Sequence, residues 1–257
     1  SRARRHVVAT VLWAFDDPYN LNSHLAAETH FDLIFTNDKG SAAAYGEKGF
    51  FLPLAASATS TVDGRQEKDY DIFFCGTAWP NRVVLLNRLL TDRPEYRYKL
   101  ALTYNSHVPA VPLDRSRSSY VKTLSYDDYM SYARRSEITL ALHRNFSGTD
   151  KLAISSSPGP RMFEVAASGS FQVSEDVSED FKRIFNEDTV DYFADYDALL
   201  DSIDGVLKNP ASHHREKTRV LRREVAARHT YAHRLGAILI EAQRLPLSPS
   251  HQQIVAR

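Results

Sequence analysis

Cysteine is almost absent: Cys75 is the only one in 257 residues. That excludes an internal disulfide framework and any multi-cysteine metal site. Long apolar runs are missing too. None approaches the ~18 residues a membrane-spanning helix needs, and no segment has the pattern of a secretory leader. Cytoplasmic residence is the expectation. Net charge is zero, with 32 Lys plus Arg against 32 Asp plus Glu. The balance gives no argument for nucleic acid or an anionic membrane as partner. The basic start, Arg2 to His6, reads as a local solvated flank. There is no internal repeat, no GxGxxG after a strand and no Walker loop. What remains is an ordinary globular composition, 43% hydrophobic and 25% charged, long enough for one large or two smaller domains.

Short apolar runs and short helical patterns alternate along the chain. Val7 to Phe15, Phe31 to Thr36 and Phe50 to Leu54 read as strands, with weak helices at Asn20 to Thr29 and at Ser41 to Tyr45, the latter closed by Gly46. Ala56 to Lys68 is small and polar and reads as a linker. The pattern then restarts. Strands are expected at Tyr70 to Phe74, Tyr98 to Thr103, Tyr120 to Leu124, Ile138 to Leu142, Ser170 to Val173 and Val190 to Phe193. Helices are expected at Val83 to Leu90, at Tyr129 to Arg135 behind a Ser125 cap, at Phe181 to Phe185, at Tyr196 to Lys208 and, as one long charged element, at Ser212 to Arg244. The tail from Leu245 is expected to be disordered. Strand–helix alternation predicts an α/β fold of doubly wound parallel sheets. Asp16, Asp17, Asn37 and Asp38 then fall at strand carboxyl ends, where ligands bind in such sheets; turns and caps are the commoner use of these residues.

The centre of the second half is Ser155 to Ser174, SSSPGPRMFEVAASGSFQVS. A small-residue loop leads through Pro160 into a short helix that Gly169 ends. Free N–H groups and the positive end of the helix dipole make such a start a ready phosphate site. Arg161 and Glu164 share one face of it. They read either as a salt bridge at the edge of a core or as a phosphate contact and a ribose-binding carboxylate. The turn Gly76 to Arg82 reads similarly: glycine lets a backbone approach a ligand, and Arg82 near a helix start opposes the dipole unless an anion sits there. His143-Arg144-Asn145 follows a buried strand directly, again where a ligand would sit, and a flexible loop is expected from Phe146 to Gly159.

Other chemistry finds little support. Asp69-Tyr70-Asp71 stands at the wrong end of a parallel sheet to hold a metal against a diphosphate, and Asp195-Tyr196-Asp197 reads as a helix cap. His229 and His233 are four apart on a helix, with no third ligand nearby. Ser155 to Ser157 lacks a nucleophile elbow. No metal and no cofactor is expected.

The order of pieces resembles the CgeB-like (spore maturation protein) glycosyltransferases, a group with the two-domain GT-B fold. The resemblance rests on WAFDDP (Trp13 to Pro18), FDLIFTND (Phe31 to Asp38), GFFLPLA (Gly49 to Ala55), DIFFCGTAWPNR (Asp71 to Arg82), GPRMFEVAASGSFQVSED (Gly159 to Asp176), VDYFADYDALLDSI (Val190 to Ile203) and RHTYAHRLGAIL (Arg228 to Leu239). It implies a partial acceptor-side domain over 1–62, a donor-binding domain over 63–244 and a tail over 245–257. It further implies that Glu164 grips the donor ribose, and that Gly159, Arg161, Gly76 and Arg82 face the diphosphate. Leu124 and Tyr126 would lie near the base, His143 and Asn145 at the sugar or diphosphate, and Asp16 and Asp17 on the acceptor side. Asp16, Asp17 and His143 are thus the catalytic candidates. Two departures stand out. Ser168 replaces the family's usual cysteine, and the strands that normally precede WAFDDP are not present. The chain is then a natural short form, a fragment, or one completed by a partner chain or by self-association.

The reaction so implied is metal-independent transfer of a sugar from a nucleotide diphosphate donor to an acceptor whose identity is open, with no nucleic acid involved. The arginines and helix N–H groups would stabilise the leaving diphosphate, and an Asp would serve as general base if the reaction inverts. The rivals are a sugar-nucleotide epimerase of the same fold and a non-catalytic nucleotide-sugar-binding or scaffold subunit, which would bind a donor and never cleave it.

Overall fold

The computed structural model describes residues 9–58, 67–106, 110–144, 154–208 and 212–245. Within them the chain builds a set of α-helices, of which α1 (Leu21–Ala27) and α5 (Glu179–Lys182) are the shortest, and two parallel sheets. The smaller has β1 (Val11–Ala14), β2 (Leu33–Thr36) and β3 (Gly49–Phe51) side by side in that order. The larger contains β4 (Tyr70–Thr77), β5 (Tyr98–Thr103), β6 (Ser119–Val121), β7 (Ser136–Ala141), β8 (Phe171–Glu175) and β9 (Asp191–Phe193). Its spatial order is β6-β5-β4-β7-β8-β9, and every pairing is parallel. The strand order reverses between β4 and β7, and a crevice opens at their carboxyl ends.

Burial explains the run of apolar residues in β4. Ile72, Phe73 and Phe74 are all buried, because a parallel sheet is covered on both faces. Ile72 and Phe74 join the core under α2 (Pro80–Asp92) and α6 (Tyr196–Lys208), with Leu86, Leu89 and Ile203. Phe73 points the other way, toward Tyr129 and Met130 of α3 (Tyr126–Arg134) and Val165 of α4 (Pro160–Ser168). The other face of α4, with Met162 and Phe163, packs on Leu221 and Val225 of α7 (Ser212–Arg228).

Several helices begin earlier than the sequence predicts. α2 starts at Pro80, not Val83, because proline occupies its first position. This brings Arg82 into the first turn. α3 starts directly after Ser125, whose hydroxyl accepts the Asp128 N–H at 3.1 Å. The segment expected as a helix at Ser41 to Tyr45 lies inside a 3-10 stretch, Lys39–Lys48, kinked at Gly46 with φ 60°. Gly169 ends α4 at φ 76°, as expected of a left-handed stop.

The long helix expected over Ser212 to Arg244 is instead two: α7, and α8 (Tyr231–Gln243). Between them Thr230 forms a parallel bridge with Ala56. The Ala56 N–H donates to the His229 carbonyl at 2.9 Å, and the Tyr231 N–H to the Ala56 carbonyl at 3.1 Å. The reason for the break is packing: Ala237, Ile238 and Ala242 of α8 bury against Phe35, Leu52 and Val11 of the small sheet, which a straight continuation of α7 would not reach. α8 therefore packs on the first sheet, although its residues fall within the donor-side stretch 63–244 expected from the sequence. Of the expected linker, Ala56 is buried at this crossing, while 59–66 lies outside the described residues, as do Val7, Val8 and the tail from 246 onward.

Candidate active site

The carboxyl ends of the two sheets face each other across a cavity of about 190 Å³. Phe15, Asp16 and Asp17 reach it from beyond β1 and Asn37 from beyond β2, opposite Arg82, His143, Arg144, Gly159 and Arg161 of the second sheet's side. Of the eleven residues expected at the site, six therefore line one cavity: Asp16, Asp17, Arg82, His143, Gly159 and Arg161. Asn145 lies outside the described residues.

Arg82 is the most unusual group there. Its Nη1 donates to the Thr77 carbonyl at 3.2 Å, yet its buried Nε has no hydrogen-bond partner. Burial first, then the neighbouring Arg161 charge, pull its pKa down to about 10, against a weaker opposing pull from Glu175. Two guanidiniums at two helix starts, with a donor left over, form a site suited to an anion. Gly76 does not line the cavity. A Cβ there would stand 3.0 Å from the Phe74 ring and 3.2 Å from Arg82 Nη1. The absence of a side chain at Gly76 makes room for that of Arg82.

Arg161 follows Gly159 and Pro160 at the start of α4, and Tyr129 donates to its carbonyl at 3.4 Å. Glu164, one turn on, is half-buried and sits beside the cavity, not in its wall. Burial raises its carboxyl pKa and the Arg161 charge pulls it back. Leu124 packs against the Phe73 cluster, and Tyr126 is half-exposed with its ring 6.3 Å from that of Tyr129. Neither belongs to the cavity wall.

His143 is half-buried. Its backbone N–H donates to Glu175 Oε2, its ring stands edge-on to Phe181 at 4.8 Å, and Nε2 lies 3.3 Å from Ser174 Oγ. Burial, helped by the Arg82 charge, lowers its pKa to about 3. It is a neutral imidazole at ordinary pH, suited to hydrogen bonding and a poor general base.

The two aspartates differ sharply. Asp17 is fully buried. Its carboxylate accepts from Thr36 Oγ1 and Tyr45 OH, each at 2.7 Å, and lies 2.6 Å from His24 Nδ1. Its own N–H donates to Asn37 Oδ1 at 3.0 Å. With its oxygens committed to Thr36, Tyr45 and His24, Asp17 braces the turn after β1. Asp16 is exposed, 4.0 Å from Arg144, and accepts from Asn20 Nδ2 at 2.7 Å. Of the two aspartates, it is the one whose carboxylate is open to the cleft.

Three residues outside the eleven also shape the site. Arg144 lies over the rings of Tyr19 and Trp79, at 4.2 and 4.7 Å; its position straight after β7 was the available signal. Glu175 carried no such signal. Asp38 fastens the small sheet to the loop before α4: its Oδ1 accepts from Ser155 Oγ at 3.1 Å and from Ser156 N and Oγ at 2.7 and 2.9 Å. The Ser155–Gly159 part of the loop expected to be flexible is thus held in place, and residues 146–153 lie outside the described set. The remaining motifs are accounted for within the protein. Asp71 pairs with Arg97, Asp69 with Arg135, and Asp195 accepts the Ala198 N–H at 2.9 Å as a helix cap. His233 closes the capping box of α8 with Thr230, and His229 Nδ1 lies 2.7 Å from Arg234 Nη2. No helix among the described residues is long and apolar enough to cross a membrane.

A family model described as glycosyl transferase-like matches residues 65–240. Among solved structures, the chain is similar to a sucrose-phosphate synthase from Thermosynechococcus elongatus (TM-score 0.62, 14% identity), covering 88% of this chain and 62% of that one. It is similar to Anabaena HepE, solved in complex with UDP and glucose (TM-score 0.67, 10% identity), covering 91% of this chain and 71% of that one. It is also similar to an α,α-trehalose-phosphate synthase (UDP-forming) from Burkholderia vietnamiensis (TM-score 0.61, 9% identity), covering 91% of this chain and 69% of that one. At such identities the likeness is one of fold, the GT-B arrangement of two parallel sheets. No curated protein matches the chain. It spans about 62% of the length of the sucrose-phosphate synthase.

Proposed function

The chain belongs to the glycosyl transferase-like family, and from that membership we propose that it moves a sugar from a nucleotide diphosphate donor to an acceptor without a metal. The finer resemblance, to the CgeB-like glycosyltransferases, is part of the same proposal. One observation carries it: Arg82, half-buried at the switch point beside Arg161, lines the cleft and keeps a buried Nε without a hydrogen-bond partner. A diphosphate would take that donor, relieve the like-charge pair and meet the free N–H groups at the start of α4. As the glycosidic bond breaks, negative charge grows on the diphosphate, and these fixed donors stabilise the transition state more than the ground state. Glu164, beside the cavity, would accept from the ribose hydroxyls. The base would lie near Leu124 and Tyr126. His143, neutral, would hydrogen-bond a sugar or phosphate oxygen, and Asp16 would take the acceptor proton if the reaction inverts.

A non-catalytic nucleotide-sugar-binding subunit is the second reading, favoured by the commitment of Asp17 to the protein. A partner chain or self-association that completes the first sheet would sit at β1, its edge strand. Titration with UDP, GDP and dTDP tests the donor site. One nucleotide should bind, and Arg82→Met and Glu164→Ala should each weaken it. Equal binding by wild type and both variants would overturn the assignment. Release of free sugar or its transfer, followed with the nucleotide sugar of the base that binds, separates the enzyme from the subunit.

A further inference from the structure

A second cavity, of about 310 Å³, opens at the opposite end of the large sheet from the cleft. Lys68 reaches it from just before β4, Glu137 from the start of β7 and Arg134 from the end of α3, while Arg215, Arg219 and Arg222 line it from α7. Five permanent cations thus face a single carboxylate in a chain whose overall charge is zero. We propose that this pocket is a ligand site for phosphate groups, separate from the cleft between the sheets.

Internal pairing does not account for all of these cations. Arg215, Arg219 and Arg222 are spaced four and three apart, so they share one face of α7 and repel one another. Arg215 lies near the amino end of α7, where a positive charge also opposes the dipole. Arg219 is paired with Glu216, and Arg222 lies against Gly169 at the carboxyl end of α4, where a cation is favoured. Those contacts account for two of the five. Arg134 has a buried Nε without a hydrogen-bond partner. Lys68 donates to the Arg134 and Ser136 carbonyls at 2.9 and 2.7 Å, leaving a third ammonium proton. Burial lowers its pKa and Glu137 raises it again. A phosphate's several oxygens match this convergence of guanidinium and ammonium donors better than a single carboxylate does. The volume suits a phosphorylated small molecule or a lipid headgroup.

The test titrates the full chain with inorganic pyrophosphate at low ionic strength, using wild type, Arg82→Met, and the double variant Arg215→Gln/Arg219→Gln. Both changed positions of the double variant are exposed, and thermal unfolding checks that it is folded. Arg82→Met removes binding at the cleft. Pyrophosphate should still bind that variant, and the double variant should lose this remaining component by about tenfold or more, the effect of one charge-assisted hydrogen bond or more. Arg134→Met should lose it as well. Vesicles of phosphatidylglycerol, run beside the pyrophosphate series, identify the source. Vesicle binding that the double variant abolishes assigns a lipid headgroup, and its absence alongside pyrophosphate binding assigns a soluble phosphate ester. Pyrophosphate binding that Arg82→Met abolishes entirely, or that the double variant leaves intact, would overturn the proposal.

Discussion

Arg82, half-buried at the cleft, and Arg234, buried under the small sheet, both have their pKa lowered by burial to about 10. Their surroundings differ completely. Arg234 donates to the carbonyls of Pro53 at 2.7 Å, Leu54 at 2.9 Å and Arg228 at 3.1 Å. Arg82 donates to one carbonyl, faces a second guanidinium and leaves Nε unpartnered. The lowered pKa is therefore shared, and what separates the two is how completely each guanidinium is hydrogen-bonded. The aspartates repeat the lesson: Asp17 is deep and saturated, while Asp16 is shallow and open.

The comparison breaks first on stability. Arg234→Met strands several buried carbonyls and should cost about 3–5 kcal/mol in denaturant unfolding. Arg82→Met should change stability by no more than about 1 kcal/mol, since an unpaired buried charge is removed, while weakening nucleoside diphosphate binding by about 2–3 kcal/mol in titration calorimetry. If Arg82→Met unfolds the protein as readily as Arg234→Met, the contrast fails. Asp17→Asn should cost about 2 kcal/mol of stability, and Asp16→Asn almost none. Turnover measured on the folded variants then shows which aspartate matters to chemistry. The smallest effect concerns pH. His143 titrates at about 3 in the folded chain, below the ordinary value of about 6.5. Between those values the unfolded chain binds the extra proton, so this contribution to stability is whole above pH ~6.5 and lost as pH falls toward 3. His143→Gln should flatten the slope in that window by at most about 1.4 kcal/mol per pH unit.

Much of this was legible in the sequence. Valine- and phenylalanine-rich runs marked the strands of both sheets, Pro160 and Gly169 framed α4, and the positions after β1, β4 and β7 pointed to one cleft. Local patterns carry that kind of information. What they missed depended on partners distant in the chain. Asp17 gave no sign of Thr36, Tyr45 and His24, which the fold brings to it. Gly76 gave no sign of the Arg82 side chain that it admits. Ser212 to Arg244 looked like one helix because its charge pattern does not record that its two halves serve different cores.

The paired crossing at Ala56 and Thr230 has a mechanical meaning. A single connection between two lobes acts as a swivel, free to bend and twist in any direction. Here two connections run side by side and are hydrogen-bonded to each other on both sides of Ala56, like the two leaves of a door hinge. Such a joint permits rocking about the line through the crossing and resists twisting across it. The edges of the cleft can then part and meet again with Arg82 and Asp16 returning to the same facing positions.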